Sequence, residues 1–248
     1  MIKTNFFIRK QYLFFIRLSS SLFWTLKIML RNNKKNISEK LIKKHGKEST
    51  NVHIICPGPS IKSILESNLD KNHIYIFVNH AVAYASKKEF KDLNKIFFSA
   101  DPVRANEIIS QRILEFEMCE SVLFPGHLFH MNLNVFNKFN NIYLPKKLSI
   151  DYEFGLVGKS SDPRNIKMPI NTFTGYGFGS LAASVSLALL FNPQIINFWG
   201  CDFGDKNGRS YGVDNVPQLG WATPHDKIRK IIDTFDQSLK DIKFIYNS

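Results

Sequence analysis

The sequence predicts an α/β fold in which a mostly parallel, Rossmann-like sheet carries helices on both faces. Short runs rich in β-branched and aromatic residues alternate with apolar helical stretches, and glycine or polar residues follow several of the runs directly. Strands that alternate with helices form parallel sheets. A chain of 248 residues with 44% hydrophobic content is long enough to bury one full core.

The first half of the chain supplies most of the predicted strands. A helical stretch begins at Ser60, and a second helix runs from Pro102 to about Glu117, with proline at a first-turn position. The strands are predicted at 52–56, 73–78, 95–100, 121–124 and 141–144.

The second half begins with an irregular segment, 150–172, which is rich in Gly, Ser, Asp and Pro and is predicted to form a lid or insertion. A glycine-rich turn then leads into a helix that is apolar on all sides and therefore buried. An amphipathic helix over 226–241 precedes the end of the chain. The buried helix covers 181–191, and strands are predicted at 195–200 and 243–247.

The net charge of +12 is concentrated at the N-terminus, because residues 1–50 hold twelve Lys and Arg against two Glu. A nucleic-acid-binding domain would carry its basic face within the fold, so nucleic acid is not favoured as a partner. Residues 1–35 are predicted to form a basic amphipathic segment that lies on an anionic membrane surface. Arg17 and Lys27 interrupt a spanning helix. A helix that packs on the domain or on a partner subunit is the alternative.

The predicted organisation is therefore a membrane-seeking segment over 1–35, a linker over 36–50 and a ligand-binding domain over 51–248. The linker is rich in Lys and has little apolar periodicity. The three cysteines form no Cys-x-x-Cys pair, which predicts free thiols in a reducing cytoplasm and no zinc site. Cys56 and Cys201 are expected to pack as small apolar side chains near strand ends.

Glycine or polar residues follow four of the predicted strands. Ligands of open parallel sheets bind beyond the carboxyl ends of the strands, so these residues are expected to converge on one crevice. They are Gly58, Ser60, Asn79, Asp101 and Asp202. Asp202 could order its loop, bind a ribose hydroxyl or hold a metal.

Two glycine turns are candidate anion sites. Backbone N–H groups of the PGPS turn at 57–60, with Ser60 at the helix N-cap, could hold an anion. Gly179 and Ser180 end the GYGFGS turn before the buried helix, where the helix N-terminus favours phosphate. The alternatives are an ordinary capped turn at 57–60 and tight helix–sheet packing at 175–180.

Two further residues are candidates for the chemistry itself. His225 precedes the last amphipathic helix and can act as a general base near neutral pH. Tyr211 follows a strong turn signal and could point back into the crevice. His80, His127 and His130 are rival bases.

In order along residues 52–235, these segments resemble the bacterial lipooligosaccharide sialyltransferases of glycosyltransferase family 42 and the related Kdo transferases. Residues 115–172 match poorly, and Asp101 stands where the family has Asn. The matching motifs are Gly58-Pro59-Ser60, Asn79, Asp101-Pro102, Gly179-Ser180, Gly200-Cys201-Asp202-Phe203, the stretch from Asn207 to Tyr211, and His225.

The resemblance implies a single domain of the GT-A-variant type that transfers an acidic sugar, such as sialic acid or Kdo, from a CMP-activated donor. The transfer would invert the sugar and would need neither metal nor cofactor. His225 would take the acceptor proton, and Tyr211 would bind the leaving phosphate together with backbone N–H groups around Gly179 and Ser180.

The other residues implied in donor binding are Ser60, Asn79 and Asp101, with Gly58 and Asp202 in the same crevice. A lipid-linked or surface glycan acceptor would place the enzyme peripherally on the cytoplasmic face of the inner membrane, and a homo-oligomer is left open. Two rival functions remain. One is a pterin pyrophosphokinase-like enzyme that uses ATP and Mg²⁺. The other is a non-catalytic membrane-attached module that binds a nucleotide or glycan.

Overall fold

A computed structural model describes residues 43–45, 51–99, 102–122, 142–143, 179–189, 191–202, 229, 232–233, 236–237 and 239–247. Within them, seven strands form a single sheet in which all six pairings are parallel. The strands are β1 (Val52–Ile55), β2 (Ile74–Val78), β3 (Asn94–Phe98), β4 (Glu120–Val122), β5 (Ile142–Tyr143), β6 (Ile195–Trp199) and β7 (Lys243–Asn247).

The strand order is β5-β4-β3-β2-β1-β6-β7. The chain first builds the sheet outward from β1 to β5 and then returns to place β6 on the other side of β1. The order therefore reverses between β1 and β6, and in open α/β sheets ligands bind at the carboxyl ends of the strands at such a point. All seven predicted strands are confirmed, with ends that shift by at most two residues.

The α-helices are α1 (Pro102–Gln111), α2 (Ile113–Glu117) and α3 (Gly179–Leu189). The single helix predicted from Pro102 to Glu117 is thus two helices, because Arg112 leaves the helical region with φ −132° and ψ 49°. In the described ranges, 3-10 helices also occur at Pro59–Glu66, Asn79–Ser86 and Lys88–Phe90, and the last two were not predicted. Helical residues at 229, 232–233 and 236–237 lie in the predicted amphipathic helix.

Both faces of the sheet are covered by helices, as predicted. Alternate residues of the central strands enter two separate cores. On one face, Ile54 and Ile76 pack with Val185 of α3 and with Ile232. The other core contains Ile55, Phe77 and Phe97 together with Ile61, Ile108 and Phe116 from the 3-10 helix Pro59–Glu66, α1 and α2.

Part of the predicted linker is attached to the sheet. Residues 43–45 are helical, and His45 is 6% exposed. Its Nε2 lies 2.9 Å from Oε2 of Glu120, a buried residue at the start of β4, and Lys44 forms an ion pair with the same carboxylate. Burial, and then the charge of Lys44, lower the pKa of His45. Residues 43–45 therefore contact the fold directly.

A buried histidine network crosses β1. Trp199 Nε1 donates to His53 Nδ1 at 3.0 Å, so the proton of a neutral His53 is on Nε2, which lies 3.0 Å from His73 Nδ1. The His53 ring also stacks on Tyr75 at a centroid distance of 4.7 Å. Burial, and then the charge of His73, lower the pKa of His53 to about 3. His53 is therefore neutral in the folded protein near neutral pH.

Two predicted segments, the membrane-seeking segment 1–35 and the lid 150–172, lie outside the described residues. Among the helices that are described, none has the length and apolarity needed to cross a bilayer.

Candidate functional site

Asn79 and Ser180 are brought together at the carboxyl edge of the sheet. Asn79 directly follows β2 and has a left-handed backbone conformation with φ 54°. Ser180 is the second residue of α3, and its Oγ donates to Asn79 Oδ1 at 3.1 Å. Two residues that are 101 positions apart in the sequence therefore form one polar pair beside the N-terminus of a buried helix.

A second contact region, which we call the β1–β6 junction, comprises residues 56–60 and 199–202. Cys56 N donates to Trp199 O at 2.8 Å and Gly58 N donates to Gly200 O at 2.9 Å, which extends the hydrogen bonding of β1 and β6 beyond the strands. Asp202 Oδ2 accepts the backbone N–H of Ser60 at 3.0 Å. Asp202 and Ser60, like Asn79, therefore lie where the strand-exit rule places them, and Ser180 of the glycine turn lies beside Asn79.

Glycine is required at position 58 by the closeness of the two loops. A Cβ there would lie 2.1 Å from Asp202 Oδ2 and 2.4 Å from Gly200 O. Gly200 has φ +64°, and its Cβ would lie 2.1 Å from Cys56 O. Both glycines permit a backbone approach that no other residue type allows.

The predicted anion site in the PGPS turn is not supported by its hydrogen bonds. Gly58 N and Ile61 N donate to the carbonyls of Gly200 and Gly58, Pro59 has no N–H, and Ser60 N donates to Asp202. A backbone N–H that already has a partner within the chain cannot also hold a ligand anion at full strength. The anion on this turn is the carboxylate of the protein's own Asp202.

The predicted N-cap at Ser60 is also wrong. The 3-10 helix begins at Pro59, and its N-cap is Gly58, which has no side chain to make a capping hydrogen bond. Proline is favoured at the first helical position, which places the cap one residue before it. Ser60 is consequently inside the first turn.

A cavity of about 220 Å³ opens beside the β1–β6 junction, at the carboxyl ends of β6 and β7. Its polar and charged lining residues are Ser60, Asp202, Arg229, Asp233, Tyr246 and Asn247. Asn79 and Ser180 do not line it, so this cavity and the Asn79–Ser180 pair are separate features of the carboxyl edge.

Two protonation states in this cavity follow from its surroundings. Burial raises the pKa of the Cys201 thiol, and Cys56 and Asp202 raise it further, so Cys201 is a neutral thiol. Burial also raises the pKa of Tyr246, and the carboxylates of Asp236 and Asp233 add to the shift. The Tyr246 hydroxyl is therefore protonated and available as a donor.

Four of the polar and charged lining residues were not singled out from the sequence: Arg229, Asp233, Tyr246 and Asn247. Asn247 is the last residue of β7, so the strand-exit rule could have selected it. Arg229 and Asp233 lie one turn apart in the predicted amphipathic helix, on the polar side that a sequence pattern assigns to solvent.

Three predicted site residues, Asp101, Tyr211 and His225, lie outside the described residues, as do the rival bases His127 and His130. The remaining rival, His80, is 2% exposed at the start of the 3-10 helix Asn79–Ser86. In the part of the chain that the structure describes, no three His, Cys, Asp or Glu side chains group as metal ligands.

Comparison with known proteins found similarity among solved structures only; no family model and no curated protein matches the chain. The chain is similar to the sialyltransferase CstII from Campylobacter jejuni in complex with the substrate analogue cytidine-5'-monophosphate, at 19% identity and a TM-score of 0.46, over 82% of this chain and 81% of that chain. A second structure of CstII, in complex with CMP-3FNeuAc, gives 18% identity and a TM-score of 0.43 over 80% and 81%.

Proposed function

We propose that the chain is a glycosyltransferase that moves an acidic sugar from a CMP-activated donor to a lipooligosaccharide or other cell-surface glycan. The observation that supports this most is the hydrogen bond between Ser180 and Asn79. It joins two of the sequence motifs that resemble the sialyltransferases, although 101 positions separate them in the sequence. The parallel topology alone brings strand exits to this edge, and the hydrogen bond adds that the two motifs are in direct contact there.

The chemistry of this pair suits a nucleotide phosphate. The first N–H groups of an α-helix have no partner within the helix and carry partial positive charge, so the N-terminus of α3 is a place for an anion. Ser180 adds a hydroxyl and Asn79 an amide, both of which can reorient toward phosphate, ribose or base. Because Asp202 occupies the PGPS turn, the donor phosphate is assigned to α3.

The transfer itself is assigned to residues outside this pair. His225 would remove the proton from the acceptor hydroxyl, since histidine is the side chain whose ordinary pKa lies nearest neutral pH. Tyr211 would donate to the phosphate as CMP leaves. The reaction would be a single displacement with inversion, and Asp101 would contribute to nucleotide binding.

The first test is a panel of nucleotide sugars with released nucleotide as the readout. We expect turnover with a CMP-sugar, tighter binding of CMP than of ATP or UDP, and activity that persists in EDTA. ATP turnover that strictly requires Mg²⁺ would instead assign the chain to the pyrophosphokinase-like class.

The second test uses two serines of α3. Ser180→Ala should weaken CMP binding by about tenfold, because a hydrogen bond to a charged group contributes about 1.5 kcal/mol or more. Ser184→Ala is the matched control, because Ser184 lies one turn later, is fully buried and donates to Leu181 O within the helix. Equal CMP affinity in both variants would contradict the assignment of the donor to α3.

The third test concerns the base. His225→Ala should lower kcat by about 10²–10⁴-fold while CMP affinity stays nearly unchanged. Loss of turnover in His80→Ala or His127→Ala, with near-normal turnover in His225→Ala, would reassign the base without changing the enzyme class.

A further inference from the structure

The cavity beside the β1–β6 junction has the wrong charge for an anionic ligand. Among the lining residues that the structure describes, the carboxylates of Asp202 and Asp233 outnumber the one guanidinium, that of Arg229. Bringing a phosphate or a sugar carboxylate into this surplus of negative charge would cost hydration and add like-charge repulsion. Neither charged part of an acidic CMP-sugar suits this cavity.

The same carboxylates are well suited to hydroxyl groups. An ionised carboxylate accepts hydrogen bonds through two oxygens, while Arg229 donates and the Tyr246 hydroxyl does both. Asn247 is held at the wall, because its Nδ2 donates to Phe198 O at 3.2 Å. A concave site with several fixed donors and acceptors selects a ligand that carries many neutral polar groups.

The ring of Tyr246 adds an apolar surface to this polar wall. It stacks on Phe198 at a centroid distance of 4.9 Å and an interplanar angle of 11°, and Phe198 itself is almost fully buried. Tyr246 nevertheless remains 45% exposed. An aromatic ring that is supported on one side and exposed to the cavity can pack against the C–H face of a pyranose, whose hydroxyls project around its edge.

We propose that this cavity binds a neutral pyranose, and that this sugar is the acceptor residue of the transfer. The identification as acceptor rests on the function proposed above, but the binding of a neutral sugar does not. The cavity adjoins the β1–β6 junction and excludes Asn79 and Ser180, so donor and acceptor would occupy neighbouring places on one edge of the sheet.

The test is saturation-transfer difference NMR on the full chain with the methyl glycosides of several neutral hexoses, together with calorimetric titration of CMP. We expect at least one methyl glycoside to bind. Its Kd should rise at least tenfold in Tyr246→Ala and about fivefold in Asp233→Asn, while the Kd of CMP stays within twofold of wild type.

Asp236→Asn is the matched control. It makes the same charge change in the same helix, at an exposed position near Tyr246 that does not line the cavity, and it should leave sugar binding within twofold. Asp233 is also exposed, so Asp233→Asn should leave the fold intact. The test therefore remains decisive even if Tyr246→Ala lowers the stability of the protein.

The outcomes separate the two proposals. Sugar binding that is unaffected by both cavity variants, or no binding of any neutral glycoside, would overturn the pyranose site whether or not CMP binds. A polyamine and an acidic sugar serve as further probes. If Tyr246→Ala and Asp233→Asn weaken the binding of either of these and leave the binding of neutral glycosides unchanged, the pyranose site is likewise overturned. Sugar binding that depends on Tyr246 and Asp233 in a protein without CMP affinity would support the site and reject the proposed transferase.

Discussion

Acidification should destabilise this protein measurably through a single buried side chain, His53. Burial holds the pKa of His53 at about 3 in the folded state, against 6.5 in the unfolded chain. Below pH 6.5 the unfolded chain therefore binds a proton that the folded protein does not. A side chain whose pKa is lower in the folded state than in the unfolded state stabilises the fold fully at pH values above its unfolded pKa. This contribution to the free energy of unfolding is lost as the pH falls toward the folded pKa.

The size of the effect follows from the two pKa values. Between pH 7.5 and pH 5 the free energy of unfolding should fall by about 2 kcal/mol on account of His53 alone, with a slope that approaches about 1.4 kcal/mol per pH unit below pH 6. His53 is only 7% exposed, so solvent screening does not reduce this figure greatly.

The assay compares urea unfolding of the wild type and of His53→Asn at pH 7.5, 6.5, 5.5 and 5.0. Asparagine offers an oxygen close to the place of Nδ1, so the Trp199 indole N–H can keep an acceptor, but it does not titrate. The variant will be less stable at pH 7.5, and only the difference between the two pH dependences matters. If the variant loses as much stability on acidification as the wild type, the reasoning fails.

Three further predictions concern other parts of the chain. Gly58→Ala should lower the free energy of unfolding by about 1–3 kcal/mol, because its Cβ has no room beside Asp202 and Gly200; urea unfolding equal to wild type would contradict this. Asn79→Ala should be about 1 kcal/mol less stable in the same assay than Asn79→Gly, since only glycine adopts a positive φ without cost. Deletion of residues 1–35 should release the protein from anionic vesicles, and salt should weaken binding of the full chain by about 1 kcal/mol per screened Lys or Arg; unchanged sedimentation with vesicles would count against a membrane role.

The sheet was predictable from sequence because its central strands are short apolar runs that end at Gly or polar residues. The pattern was sufficient even for β7, whose predicted and observed limits coincide at Lys243–Asn247. Local pattern could not predict the break at Arg112, where neither glycine nor proline marks the end of α1. The left-handed conformation of Asn79 was equally invisible, although asparagine is one of the few residue types that tolerate it.

The site was harder to predict than the sheet because its contacts are not local. The strand-exit rule predicted that Asp202 and Ser60 lie beyond the ends of their strands but could not show that they contact each other, since 142 positions separate them. The anion site predicted in the PGPS turn is not supported for that reason, because the carboxylate of Asp202 already accepts the Ser60 N–H. Arg229 and Asp233 were missed because the polar face of a helix is usually solvated. Their helix face lines a cavity only because Tyr246 and Asn247 of β7 lie beside it.

The hydrogen bond from Ser60 N to Asp202 Oδ2 gives the protein a built-in spectroscopic reporter. An amide proton bound to a carboxylate resonates far downfield and moves when that carboxylate gains a proton, loses its partner or is drawn toward another donor. A single assigned backbone resonance would therefore register events at the mouth of the cavity without any label attached there. Because Ser60 and Asp202 leave the sheet on different strands, the same resonance would also register any separation of the β1 and β6 loops.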